Sequence, residues 1–308
     1  MSYSNRIFIY GPVSLLLLIV VLYSVYWRVQ ADTLSARLDR ANGGEVIPGV
    51  KFAFAEKSVG GYPFRLDAVL SGVSFSQATS GGDATWRTEK LALHSLSYGR
   101  NRYLFEVTGL QSFTLPPQTP GAKPREILVT PAIARASAIL RDGRLARFDL
   151  DLWALQAKDA AAGANGNLSA DRAQLHLLAR AGNTIDVAMK LDNAHIGVDA
   201  ELPLIDMRGK ITASEAFALL MAGQGSPADA AGAWRTGMGI FSVSALTLNW
   251  PDAHAVLQGD LRLNPQDRVS GTLAGERVQR GAPPAQYALV FADGAMRLAA
   301  SALGRPVP

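Results

Sequence analysis

Twenty-one consecutive positions, Ile7 to Trp27 (IFIYGPVSLLLLIVVLYSVYW), carry no charged side chain. At 1.5 Å rise per residue, a helix of this length spans roughly 30 Å, the thickness of a bilayer's hydrocarbon core. The run is apolar on every face, which suits lipid better than a soluble core, where one face of a helix meets water. Ile7, Leu15, Leu16, Leu17, Leu18, Val21 and Trp27 are therefore expected to form a membrane anchor. Pro12 falls near its start, where proline costs least. Tyr10, Tyr23, Tyr26 and Trp27 lie towards the ends, the positions aromatics favour at a membrane interface.

A cleaved signal peptide is the competing reading, with Val29-Gln30-Ala31 as its small-residue site. Signal h-regions run about 7–15 residues, so the longer run favours an uncleaved anchor. Arg6 precedes the segment, whereas Arg28, Arg37 and Arg40 follow it, so the positive-inside rule leaves orientation open.

Beyond the anchor, residues 28–44 read as a juxtamembrane helix. Val29, Leu34 and Leu38 give it a partial apolar stripe, and Asn42-Gly43-Gly44 stops it. The period then changes from helical to two. Tyr103-Leu-Phe105-Glu-Val107, Phe148-Asp-Leu150-Asp-Leu152 and Ile185-Asp-Val187-Ala-Met189-Lys-Leu191 alternate apolar with polar residues, as does Leu246-Thr-Leu248-Asn-Trp250. One wet face and one dry face is the antiparallel pattern. Asp142-Gly143, Ala181-Gly182-Asn183 and Asp293-Gly294 stand between such runs, where tight hairpin turns need positive φ. Two helical starts interrupt the strands: Ser214-Glu215 leading to Met221 and Gly223, and Ser226-Pro227 leading to Trp234. The expected fold is mainly β: a transmembrane helix (7–27) after a short tail (1–6), then a large, curved antiparallel sheet over 45–308 with a small helical cap. The proline-rich stretch Leu115–Pro124 is the candidate internal boundary.

Chemistry-bearing patterns are sparse. With no cysteine, disulfides, thiol nucleophiles and thiolate metal sites are excluded together. The sequence has no phosphate loop, nucleophile elbow or HExxH. His94, His176, His195 and His254 are scattered, and Asp149, Asp151 and Asp186 alternate with apolar residues as solvent-face acids do. No catalytic residue, metal site or cofactor is expected. A net charge of +4 is too small to imply nucleic acid without a clustered patch, and no nucleic-acid partner is expected. Arg141, Arg144 and Arg147 cluster at one turn, as a soluble edge or a lipid-headgroup contact. The sequon Asn167-Leu168-Ser169 matters only in a glycosylating pathway.

The most distinctive string is Gly60-Gly61-Tyr62-Pro63-Phe64-Arg65-Leu66. Pro63 cannot donate to a ladder, so a strand beginning or a bulged edge is expected. Tyr62 and Phe64, with Arg65 facing the other way, are the ligand-binding candidates, able to line an apolar groove or to pin the first strand over the core.

The anchor followed by GGYPFRLDAVLSGVSF resembles the alphaproteobacterial DUF2125 family (domain of unknown function 2125). LQGDLRLNPQDRVSGTLA and FADGAMRLAASALGRPVP are compatible with it. The resemblance implies a single-pass inner-membrane protein with its body in the periplasm. The strand–turn repetition is also similar in architecture to AsmA-like β-groove envelope proteins. The expected partners are the bilayer and a lipid or an envelope protein. The leading function is a non-catalytic envelope role with lipid along a concave sheet face. A periplasmic interaction or scaffold module is the alternative. A hydrolase whose site places His94 or His254 beside two carboxylates stands third.

Overall fold

The computed structural model describes residues 4–301, apart from 80–81, 118–122, 160, 163–165, 182–183, 198–199, 213–214, 238, 266–267 and 293. The first helix, α1, is continuous over Ser4–Ala41, with Pro12 inside it. From Tyr10 to Val25 its large apolar side chains face outward, including Leu15, Leu16, Leu17, Leu18 and Val21. Ile7 lies in the helix, but its side chain is outside the described residues. This helix is long and apolar enough to cross a membrane.

The lower part of α1 behaves differently. Trp27 and Ala31 are buried, and Leu34, Leu38 and Ala41 pack against the body with them. The spacings of four and three keep these five residues on one stripe. Val29, expected on that stripe, is exposed instead. It stands five residues before Leu34, about 140° around a helix of 3.6 residues per turn.

The strands that follow are β1 (Glu45–Ile47), β2 (Val50–Ala53), β3 (Glu56–Gly60), β4 (Arg65–Thr79) and β5 (Gly82–Leu96). Then come β6 (Gly99–Leu115), β7 (Arg125–Val129), β8 (Ile133–Arg141), β9 (Arg144–Asp159) and β10 (Asn167–Ala179). The second half has β11 (Thr184–Asp192), β12 (His195–Ile196), β13 (Ala200–Glu201), β14 (Leu204–Thr212) and β15 (Phe241–Asn249). It ends with β16 (Ala253–Leu263), β17 (Val269–Gln279), β18 (Ala285–Ala292) and β19 (Ala295–Ser301). Every pairing among the described residues is antiparallel, and the sheet runs from β2 and β3 side by side on β4 through to β18 against β19, with β7 beside β8 between β6 and β9 and with β11 pairing β14 past the short β12–β13 pair. β6 and β7, on either side of the proline-rich stretch, pair with Gln111 opposite Val129.

The turns follow their residues. Asp142 (φ 53°) and Gly143 (φ 76°) close β8 onto β9 with Arg141 opposite Arg144, a two-residue turn whose positions both need positive φ. The turns at 182–183 and 293 fall outside the described residues, as does Ser214. Helix α2 (Glu215–Met221) runs up to the turn at Gly223. Helix α3 (Pro227–Thr236) is capped by Ser226, whose hydroxyl accepts from the Asp229 amide.

Register arranges the inward residues into rows that cross the sheet. Ala68, Leu93, Phe105, Ala136, Leu150 and Leu175 stand opposite one another in turn. The row continues through Met189, Met207, Leu246, Leu257, Gly275 and Tyr287. A second line breaks the alternation. Gly72 (φ 60°), Gly109 (φ 89°), Ala154 (φ 47°) and Asn193 (φ 47°) each leave extended geometry, and the β5–β6 register slips by one beside Gly109. On β9 the inward set is Phe148, Leu150 and Leu152 before this line, then Leu155 and Ala157 after it. A slip of one would turn apolar side chains to water, and the left-handed residue restores them to the inside as the sheet bends. Glycine suits position 109, because its φ of 89° is a conformation that residues with a Cβ rarely adopt.

The two halves of the inner face differ. In the second half Leu257, Leu273 and Val243 are fully buried among Leu246, Leu248 and Leu289, so this side is filled. In the first half Phe52, Leu70 and Val73 are buried beneath α1, and the face beside them, from Phe75 across to Leu155, is open.

Candidate functional site

The open half forms an apolar trough of about 570 Å³ between β4, β5, β6, β7, β8 and β9. Of its sixteen lining residues only Gln111 and Arg135 carry a polar side chain. One wall is an aromatic ladder. Phe75 lies opposite Trp86 and Trp86 opposite Phe113, with ring centroids 5.4 and 6.2 Å apart and planes within 20° of parallel. The Trp86 indole N–H donates to Gln111 Oε1 at 3.3 Å, giving each a polar partner in apolar surroundings. Leu91, Phe105, Val107, Phe148, Leu150 and Leu152 form the floor and far wall. Arg135 alternates with the inward Ala134 and Ala136, and its guanidinium donates to Glu106 at 2.8 Å on the opposite face.

One end of the trough meets α1. Leu38 and Ala41 pack on Phe52, Phe54, Leu70, Val73 and Leu91, and Phe75, Phe105 and Val107 flank that cluster while lining the trough. The same helix that carries the apolar span thus ends at the trough's apolar floor.

The sequence-selected residues lie elsewhere. Gly60–Arg65 joins β3 to β4, with the start of β4 at Arg65, a strand beginning rather than a bulged edge, and it grips α1. Tyr62 OH lies 2.7 Å from Ser24 Oγ, and its ring meets Trp27 edge-on at 5.3 Å. Phe64 sits 6.4 Å from Tyr23, whose hydroxyl donates to the Pro63 carbonyl at 2.8 Å. The Arg65 carbonyl accepts from the Trp27 indole at 2.7 Å, while its guanidinium pairs with Asp67. None of the three lines the trough. The trough residues went unselected because each is only one apolar position in an alternating strand; their shared direction was the available signal.

The outer face carries charge in cross-strand pairs. A depression of about 710 Å³ is lined by Arg147, Asp149, His176, Arg180 and Asp186. Its acids are already engaged: Asp149 by Arg147 at 2.7 Å, His176 at 2.7 Å and Ser137 at 3.2 Å, and Asp186 by Arg180 at 2.6 Å. The fold also brings His94 between two carboxylates, Asp67 at 2.7 Å and Glu106 at 3.9 Å. Arg65 and Arg135 neutralise those acids in turn, so the cluster reads as charge pairing. Among the described residues, no group of three acids and histidines is placed to hold a metal ion.

Burial opposes the charge on Asp149, but hydrogen bonds from Arg147 and His176, the Arg147 charge and Ser137 outweigh it. They hold the carboxyl below its ordinary value of 3.8. A carboxyl depressed in the folded state stabilises it above the unfolded value, and that stability is lost as pH falls through the folded value. Asp149→Asn is therefore expected to be less stable at pH 7 and to lose less below about pH 4. Urea unfolding of the strand circular dichroism signal across pH checks this; parallel curves for the two proteins would contradict it.

One family model, described as an uncharacterized protein conserved in bacteria (DUF2125), matches residues 27–276. No curated protein and no solved structure matches the chain. The matched span opens at Trp27, a residue of α1 buried against the sheet.

Proposed function

The chain belongs to the DUF2125 family, and from that premise we propose a non-catalytic, single-pass envelope protein that shelters a lipid acyl chain in its trough. In this reading α1 lies in the inner membrane and the sheet stands in the periplasm. The observation that carries it is the trough itself: an apolar concavity left open in a sheet whose other half is filled. Concave, mostly apolar sites with a few placed polar groups are the ordinary form of a small-molecule site. Transfer of apolar surface from water contributes about 0.8 kcal/mol per CH₂, so a sixteen-carbon chain held in water is disfavoured by on the order of 12 kcal/mol. A chain in the bilayer is already out of water, so the trough gains little by extraction and much by preventing exposure.

The test is a full-length protein in nanodiscs containing a phospholipid with a diazirine at the acyl terminus. After illumination, adducts are expected on β6 and β9 around Phe113 and Leu150. Adducts confined to α1 would overturn the lipid reading and leave the scaffold alternative.

A further inference from the structure

Two turns of the sheet body are fastened to α1 at one level. Tyr23 OH donates to the Pro63 carbonyl and meets Ser97 Oγ at 2.8 Å, and Tyr26 OH donates to the Ser97 carbonyl at 3.0 Å. The Ser97 amide in turn donates to the Phe64 carbonyl at 3.0 Å, tying the β5–β6 turn to the β3–β4 turn. Around these bonds the large side chains point outward: Phe64 is 64% exposed, Tyr98 67% and Tyr62 51%. Exposed aromatics held this firmly are unexplained by the body's own packing.

The helix fixes where they stand. A hydrocarbon core of about 30 Å takes about 20 helical residues, and the uncharged run has 21. Placing Ile7 to Trp27 across the core puts Tyr23–Trp27 at its boundary, and residues 62–64 and 97–98 come to the same height through their contacts. The Arg28 and Arg65 guanidiniums, paired with Asp32 and Asp67 but both largely exposed, lie at this level, where their remaining N–H donors match phosphate chemistry. We infer that the 62–64 and 96–98 turns form an aromatic collar inserted in the lipid headgroup layer, a second membrane contact that holds the sheet against the bilayer. The partner is the lipid surface, reached by continuity with the apolar span; the collar rests on the anchoring reading.

The chain has no cysteine, so single cysteines carrying an environment-sensitive fluorophore can be placed at will. The full chain, labelled in turn at Leu17→Cys, Phe64→Cys, Tyr98→Cys and Val256→Cys, is placed in nanodiscs of phosphatidylglycerol and phosphatidylcholine. Spin-labelled lipids then quench by depth. Labels at 64 and 98 are expected to be quenched at least twofold by shallow spin labels, at 17 by deep ones, and at 256 by neither. Quenching at 17 with none at 64 or 98 overturns the collar and keeps the anchor. No quenching at 17 overturns the anchor and the collar with it.

Discussion

Leu257→Asp should abolish the cooperative unfolding transition of the protein, whereas Phe113→Asp should leave it folded and empty of lipid. Leu257 is 0% exposed, enclosed by Val243, Leu246, Leu273 and Leu289 in the filled half of the sheet. A carboxylate there has no partner, and leaving a buried charge uncompensated costs about 3–5 kcal/mol or more. Losing the leucine adds about 2–5 kcal/mol of transfer and cavity terms. Together they rival the roughly 5–15 kcal/mol that holds a typical fold. Phe113 stands on the wall of the open half, so a carboxylate there stays in reach of water. Its loss removes the stacking on Trp86, about 0.5–1.5 kcal/mol, and part of an apolar wall. Thermal melts followed by strand circular dichroism should show no transition for the first variant and a shift of a few degrees for the second. The acyl-terminal diazirine adduct on β9 should fall at least tenfold in Phe113→Asp. Equal melting losses in the two variants would mean that the first half is as filled as the second.

This contrast separates two kinds of information in the chain. Alternation on β9 and β11 shows that the sheet is antiparallel and wet on one side, and the Asp142-Gly143 and Ser226-Pro227 signals place their turn and helix cap. These rest on neighbours in sequence. The trough does not: Phe75 and Trp86 are eleven residues apart, Trp86 and Phe113 twenty-seven, and only ladder register stacks them. The left-handed residues at 72, 109 and 154 also reset which positions face inward, so a strict period of two carried through β9 would put Leu155 outside. The same holds for Asp67 and His94, which meet across β4 and β5. Gly60–Arg65 drew attention by its glycines and proline, which report a turn; that the turn holds a helix depended on Tyr23 and Trp27, forty residues earlier.

Trp27 is where the anchor and the sheet become one object, and Trp27→Ala is expected to uncouple them. The indole is 9% exposed, packs with Ala31 and Leu66, and donates to the Arg65 carbonyl. Truncating a buried tryptophan costs about 3–5 kcal/mol, and this cost falls on local docking rather than on the whole sheet. At 1.4 kcal/mol per factor of ten, the undocked population of residues 28–41 should rise by at least a hundredfold. Trypsin reads this directly, because Arg28, Arg37 and Arg40 lie in the docked segment. Cleavage there should accelerate while the melting of the strands barely moves. Trp27→Phe keeps an aromatic body and loses one hydrogen bond, worth about 0.5–1.5 kcal/mol, so its rate should rise only about two- to tenfold. Unchanged cleavage in Trp27→Ala would assign the docking instead to Tyr23, Tyr26 and the Lys57–Asp39 ion pair. With the segment undocked, Leu38 and Ala41 no longer bear on the Phe52 and Phe54 cluster. The floor of the trough then loses its cover from α1. The diazirine adduct on β9 should fall in Trp27→Ala although no residue of the trough has changed.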